Sequence, residues 1–143
     1  MYKICEESKR YNIVYKKFDK LYHDIAVKLG ISDTVFWIFH SICEYGDSFT
    51  QKLLVNYLAC PKQTINSAIT NLIKDGYLEI DGDNKSKVLK LTDKGSLFCD
   101  TKILPIVKAE NEAYSKFSKE ELDIFFRIFE TKYDDILESV EKL

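Results

Sequence analysis

Apolar side chains recur at steps of three and four from the start of the chain. Tyr11, Val14, Phe18, Leu21, Ile25 and Leu29 form one stripe and predict an amphipathic first helix. Gly30 is placed to stop it, and Ser32 or Asp33 to cap the next helix. That second helix opens with Val35-Phe36-Trp37-Ile38-Phe39, apolar on every side, so it is expected to be buried between other elements and to end near Tyr45-Gly46. Thr50 resets the pattern by capping a short helix with Leu54 and Leu58 on its inner side. After a turn at Ala59-Cys60-Pro61, Pro61 suits the first turn of a further helix, where its missing N–H costs nothing. From Lys62 to Lys74 the period is sharp: Ile65, Ile69, Leu72 and Ile73 face inward, and Gln63, Thr64, Asn66, Ser67, Thr70 and Asn71 face out.

Two alternating runs follow, Tyr77–Ile80 and Lys87–Leu91, with Asp81-Gly82-Asp83-Asn84 between them to turn the chain. They predict a β-hairpin. Thr92-Asp93 caps another helix, in which Pro105 predicts a kink or break. Ser118 and Glu121 have the spacing of a reciprocal capping box before a last helix bearing Leu122, Phe125, Phe126, Phe129, Tyr133, Ile136, Leu137 and Val140. The predicted order is helix, helix, helix-turn-helix, hairpin, helix, helix.

The length of 143 residues allows one compact domain, and 5 Gly with 2 Pro disfavour a loop-rich β-sandwich. No apolar run reaches the ~18–20 residues of a membrane span. The segment Met1–Glu7 lacks the apolar stretch of a secretory signal, so a cytoplasmic location and no membrane partner are expected. Cys5, Cys43, Cys60 and Cys99 are scattered, without the clustered spacing of a zinc site, and no metal or cofactor is expected. Reduced thiols are the expectation, with Cys5 the choice for a redox sensor if one exists. There is no Gly-rich phosphate loop, GxSxG or HExxH, and nothing invites an enzymatic reading.

Charge changes the picture in blocks rather than in total. The net charge is -2, yet Thr50–Gly95 holds seven Lys against five Asp and Glu, or +2. Glu110–Leu143 holds five basic and ten acidic residues, or -5. The middle of the chain is therefore suited to meet an anion, and the tail is not.

A short helix, a tight turn and a second helix with a polar outer face make a helix-turn-helix, and the hairpin makes it winged. Asn and Gln can pair with adenine by two hydrogen bonds, and Ser or Thr can bond bases or phosphates. The hairpin's Lys85, Lys87 and Lys90 are placed to reach flanking phosphates.

The stretch TQKLLVNYLACPKQTINSAITNLIKDGYLEI followed by KLTDKG resembles the winged helix of MarR-type transcriptional regulators. The leading helices and the C-terminal pair fit as well, so the resemblance covers almost the whole chain. It implies one domain, 1–143, with 31–95 as the winged helix-turn-helix and 1–30 and 96–143 as dimerisation helices. The fold class is mainly α with a small β-hairpin wing. By the same resemblance the protein is a homodimeric regulator, a repressor, whose two recognition helices enter successive major grooves of a palindromic operator. DNA release would follow binding of a small aromatic ligand or oxidation of a cysteine.

Carried over residue by residue, Gln63, Thr64, Asn66, Ser67 and Thr70 match exposed recognition positions, and Lys62 matches a phosphate contact. Thr50, Gln51, Asn71, Lys85 and Lys87 complete the expected DNA-binding set. Asp83 and Lys85 align with the family's wing Asp-x-Arg, but Lys stands here where Arg is usual. The only arginines are Arg10 and Arg127, both outside the winged segment. Lysine lacks the planar fork that reads guanine, so an A/T-rich operator read by Asn and Gln is expected.

The aromatic load of 9 Phe, 9 Tyr and 1 Trp is read as core and dimer seam, the Phe125, Phe126, Phe129 and Tyr133 stripe above all. His23 and His40 are read first as structural histidines. If an effector pocket exists, the family's geometry would line it with Tyr15, Tyr22, His23, Trp37 and His40. The alternative function is a winged helix turned protein-interaction module without DNA binding, a reading favoured by the missing arginines and the acidic total.

Overall fold

The computed structural model describes residues 1–46, 49–82 and 87–143, so Asp83, Asn84 and Lys85 of the expected wing turn lie outside the described residues. The elements run α1 (Glu6–Leu29), α2 (Asp33–Tyr45), α3 (Gln51–Leu58), α4 (Lys62–Lys74), β1 (Leu78–Asp81), β2 (Val88–Leu91) and α5 (Asp93–Phe98). A π-helical turn (Cys99–Ile103), α6 (Leu104–Tyr114) and α7 (Lys119–Val140) complete the chain. The fold is mainly helical with one antiparallel hairpin, as the periodicity predicts. The chain forms two compact units, Met1–Pro105 and Ile106–Leu143.

The helix starts are set locally. Ser32, Thr50 and Thr92 each accept a hydrogen bond from the backbone N–H three residues on, and Ser118 and Glu121 form the full capping box. Each bond satisfies an amide that the helix itself leaves open, worth about 1 kcal/mol. Cys5 does the same for α1, its Sγ accepting from Ser8 N at 3.4 Å. Gly30 ends α1 in the left-handed region at φ 72°, as expected of a C-terminal glycine.

The core of the first unit is built around α2. Phe36, Ile38, Phe39 and Ile42 are buried there, with Leu54 of α3, Ile65, Ile69 and Leu72 of α4, Leu78 of β1, Leu89 of β2 and Ile103. Burying each such side chain contributes roughly 1.5–3 kcal/mol. Ser41 is fully buried, and its hydroxyl donates to Trp37 O at 2.6 Å. The only buried faces of α4 are thus apolar, which is what fixes its orientation.

Three features lie beyond what the periodic pattern fixes. The α1 stripe is not covered along its length: Val14, Phe18 and Leu21 are 45–55% exposed, and Ala26 alone is buried. Periodicity identifies an apolar face but not what lies against it. The break expected at Pro105 takes the form of a change of helix type. The π-helical turn comes just before it, with Leu104 N–H reaching back to Cys99 O. Pro105 thereby falls in the first turn of α6, where no donor is needed. Finally, the hairpin has a partner that the alternation did not reveal. Thr50 bridges Val88, and Leu89 N–H donates to Phe49 O at 2.9 Å, so the segment before α3 lies along β2.

In the second unit the α6 and α7 helices have no buried side chain. Ile124, Phe125, Phe126, Ile128, Phe129, Tyr133, Ile136, Leu137 and Val140 are all 40–65% exposed. Phe125 and Phe129 stack at 5.6 Å, one turn apart.

Candidate nucleic-acid interface

With Ile65, Ile69 and Leu72 buried, the opposite side of α4 presents Lys62, Gln63, Thr64, Ser67, Thr70, Asn71 and Lys74, all exposed. Gln63, Ser67, Thr70, Asn71 and Lys74 recur at the helical period and form one polar stripe. The helix has Pro61 at its N-cap, and no side chain caps it. Lys62 stands at this end, and the first-turn amides beside it add to an anion-attracting terminus. Pro61 was legible as a helix start, but not as the residue that leaves the start uncapped.

Four of the expected contact residues are already engaged. Gln51 and Asn66 are half-buried, and Gln51 Nε2 donates to Asn66 Oδ1 between α3 and α4. The Thr70 hydroxyl donates to Asn66 O at 2.8 Å, one turn back in its own helix. Thr50 Oγ1 accepts from Leu53 N at 3.2 Å as the cap of α3. These four hold the helix-turn-helix together in the free chain. Gln63, Thr64, Ser67 and Asn71 remain as the polar side chains presented outward. Lys87 is exposed just before β2, and Lys85 lies outside the described residues. Lys90 is tied to Asp81 across the hairpin at 2.5 Å, which holds the Asp81 carboxyl below its usual range and occupies the ammonium. Lys52, exposed in the first turn of α3, adds a cation that the pattern did not single out.

The KLTDKG segment has a mechanical role. Thr92 Oγ1 accepts from Gly95 N at 3.1 Å and donates to Gly76 O at 2.5 Å, while Thr92 N–H donates to Tyr77 O at 3.1 Å. Lys94 donates to Asp75 O at 2.7 Å and lies 4.2 Å above the Tyr77 ring. Gly95 approaches so closely that a Cβ there would sit 2.1 Å from Tyr77 O. The turn that ends α4 is therefore clamped to the start of α5, and the angle of α4 is set by that clamp.

A second site lies between α1 and α2. Tyr15, Phe18, Asp19, Tyr22, His23, Asp33 and Trp37 line a cavity of about 300 Å³. Tyr22 and Trp37 meet at 4.8 Å with their planes tilted by 46°, forming an aromatic corner. His23 Nδ1 lies 2.9 and 3.1 Å from the two Asp33 oxygens. Four of the five expected pocket residues are thus brought together. His40 is not among the lining residues: it is buried behind Trp37, ring centroids 5.2 Å apart, with Nδ1 3.7 Å from Glu44 Oε2. Phe18, Asp19 and Asp33 are lining residues that the sequence pattern did not supply.

All four cysteines are free. Cys43 and Cys99 meet between α2 and the π-helical turn. The hydrogen bond between the thiols, together with burial, pushes Cys99 far up and, by its donation, lowers Cys43. Among the described residues no group of three or more His, Cys, Asp or Glu could hold a metal ion, and no single helix is long and apolar enough to cross a membrane.

No family profile matches the chain, and no curated protein matches it either. Solved structures do. A MarR family regulator from Neisseria meningitidis superposes with a TM-score of 0.77 over 99% of both chains at 17% identity. The Staphylococcus aureus MarR in complex with salicylate and kanamycin gives 0.67 at 20% identity, covering 93% of this chain and 91% of that one. A Listeria monocytogenes protein of MarR type complexed with 26mer DNA gives 0.67 at 21% identity, covering 97% and 92%. The winged-helix core and the long helices on either side of it in sequence are those of the MarR regulators, and the chain has the MarR-type fold.

Proposed function

We propose that the protein is a sequence-specific DNA-binding transcriptional regulator, a repressor that acts as a homodimer on a palindromic, A/T-rich operator. The observation that carries this reading is the outward stripe of α4, whose Gln63, Thr64, Ser67 and Asn71 stand free of the core while Ile65, Ile69 and Leu72 anchor the helix beneath them. Side chains of this kind, on a rigid helix with Lys62 and Lys74 at its two ends, suit a major groove. The Listeria monocytogenes structure of the same fold holds DNA, which supports the reading. The exposed apolar face of α7, with Ile13 and Val14 in the first half of α1, calls for a partner surface, and a second copy of the chain meets that need. A small aromatic ligand in the α1–α2 cavity would release DNA by favouring a different spacing of the two α4 helices. The Staphylococcus aureus structure of the same fold holds small organic ligands, which supports ligand binding by this fold without fixing the charge of the ligand here.

The test is selection of bound sequences from random DNA, followed by mobility shift of the winners at two salt concentrations. A palindrome rich in A·T pairs is expected, with affinity falling roughly 10³–10⁵-fold between about 50 and 200 mM salt if 6–10 phosphates are contacted. Lys62→Ala should weaken all sequences alike and flatten the salt dependence, whereas Asn71→Ala should relax the preference at one base position. Failure to enrich any sequence would refute the proposal and leave the interaction-module reading in its place.

A further inference from the structure

The charge of the α1–α2 cavity restricts what it can hold. Its lining carries two carboxylates, Asp19 and Asp33, and one group able to carry positive charge, His23. The imidazole of His23 is already bonded to Asp33. Lys20, on the same helix, has its ammonium held by Asp24. An anion entering the cavity would face Asp19 with no free cation among the lining groups to receive it. The walls, in contrast, are aromatic: Tyr15, Phe18, Tyr22 and Trp37. Aromatic faces attract cations through their quadrupole, and an ammonium among several rings gains most when a carboxylate completes the shell. The volume of about 300 Å³ is at the lower end for ligand sites and fits a body of one ring with a small head group.

We infer that this cavity takes a small organic cation, a quaternary or protonated tertiary ammonium carried on an apolar body, with Asp19 as its counter-charge and Tyr15, Phe18, Tyr22 and Trp37 as its cage. An aromatic carboxylate is excluded by the same charges. This deepens the effector reading above and depends on it only for the consequence to DNA, since occupancy of the cavity is measured without any operator.

Trp37 is the single tryptophan of the chain, so its fluorescence reports this cavity alone. The full chain is titrated with benzyltrimethylammonium, benzyl alcohol and benzoate, which share a ring and differ in charge. The cation should bind at least tenfold more tightly than benzoate, with the alcohol between them. Asp19→Asn should weaken the cation roughly five- to tenfold, the effect of losing one partly solvated opposite charge, and leave the alcohol unchanged. Asp19→Lys should reverse the preference in favour of benzoate. Tight benzoate binding, an Asp19→Asn variant with unaltered cation affinity, or no response of Trp37 to any of the three compounds would each overturn the inference. Mobility shift with and without the cation separates the two levels. Cation binding by a chain that shifts no DNA would sink the regulator reading and leave the cavity assignment standing.

Discussion

Gly95→Ala tests the clamp between α4 and α5. The Cβ it adds would lie 2.1 Å from Tyr77 O and 3.1 Å from Leu91 Cδ2, and the first of these is a backbone atom that cannot rotate away. Either the start of α5 or the Tyr77 carbonyl must move by roughly an ångström. Overpacking of this kind costs about 1–3 kcal/mol. The same carbonyl accepts Thr92 N–H at 3.1 Å, so displacement also weakens a hydrogen bond with a net worth of ~1 kcal/mol. Alanine returns up to ~1 kcal/mol through its better helix propensity. The net expectation is a loss of about 2–3 kcal/mol, read as a fall of roughly 6–12 °C in Tm by circular dichroism at fixed protein concentration. Gly30→Ala is the control. Gly30 has φ 72° and nothing within 4 Å of a Cβ, so only left-handed strain of ~1–2 kcal/mol applies. Because the clamp sets the angle of α4, Gly95→Ala should also weaken operator binding by more than its Tm accounts for, and Gly30→Ala should not. A Gly95→Ala protein as stable as wild type, or less affected than Gly30→Ala, would show that the close approach does not constrain the fold.

Three further outcomes are expected. Alkylation followed by mass spectrometry should modify exposed Cys5 first and Cys99 last, because Cys99 is 2% exposed and its thiol is pushed up by the bond to Cys43 and by burial; early loss of Cys99 would contradict the packing of the π-helical turn. If the proposed dimer forms through α7, Phe125→Asp with Phe129→Asp should convert it to a monomer in sedimentation, since the two rings stack on an exposed α7 face; an unchanged mass would count against α7 as the seam. The Asp81 carboxyl is held below its usual range by Lys90, so its contribution to stability is present above that range and fades as the pH falls through the lowered value. Asp81→Asn should therefore cost a little stability at neutral pH and nothing in strong acid, as read from urea midpoints at several pH values; a difference that persists in acid would assign it to packing instead.

The elements were legible from short stretches of the chain. Helix faces, the four side-chain caps at Ser32, Thr50, Thr92 and Ser118, and the glycine that ends α1 depend on contacts within a few residues, so period and spacing suffice to place them. The inner residues of α4 followed for the same reason. What covers an apolar face, and which polar residues meet, depends on segments distant in sequence. Long-range packing leaves the Val14, Phe18 and Leu21 stripe open and makes Gln51 and Asn66 bond each other rather than project outward. It alone laid Phe49 and Thr50 along β2 and brought Cys43 to Cys99. The cavity shows the division well: Tyr15, Tyr22, His23 and Trp37 could be named beforehand, but its sign could not. Asp19 and Asp33 belong to different helices, and a turn at Gly30–Ser32 had to fold back before their carboxylates shared one space.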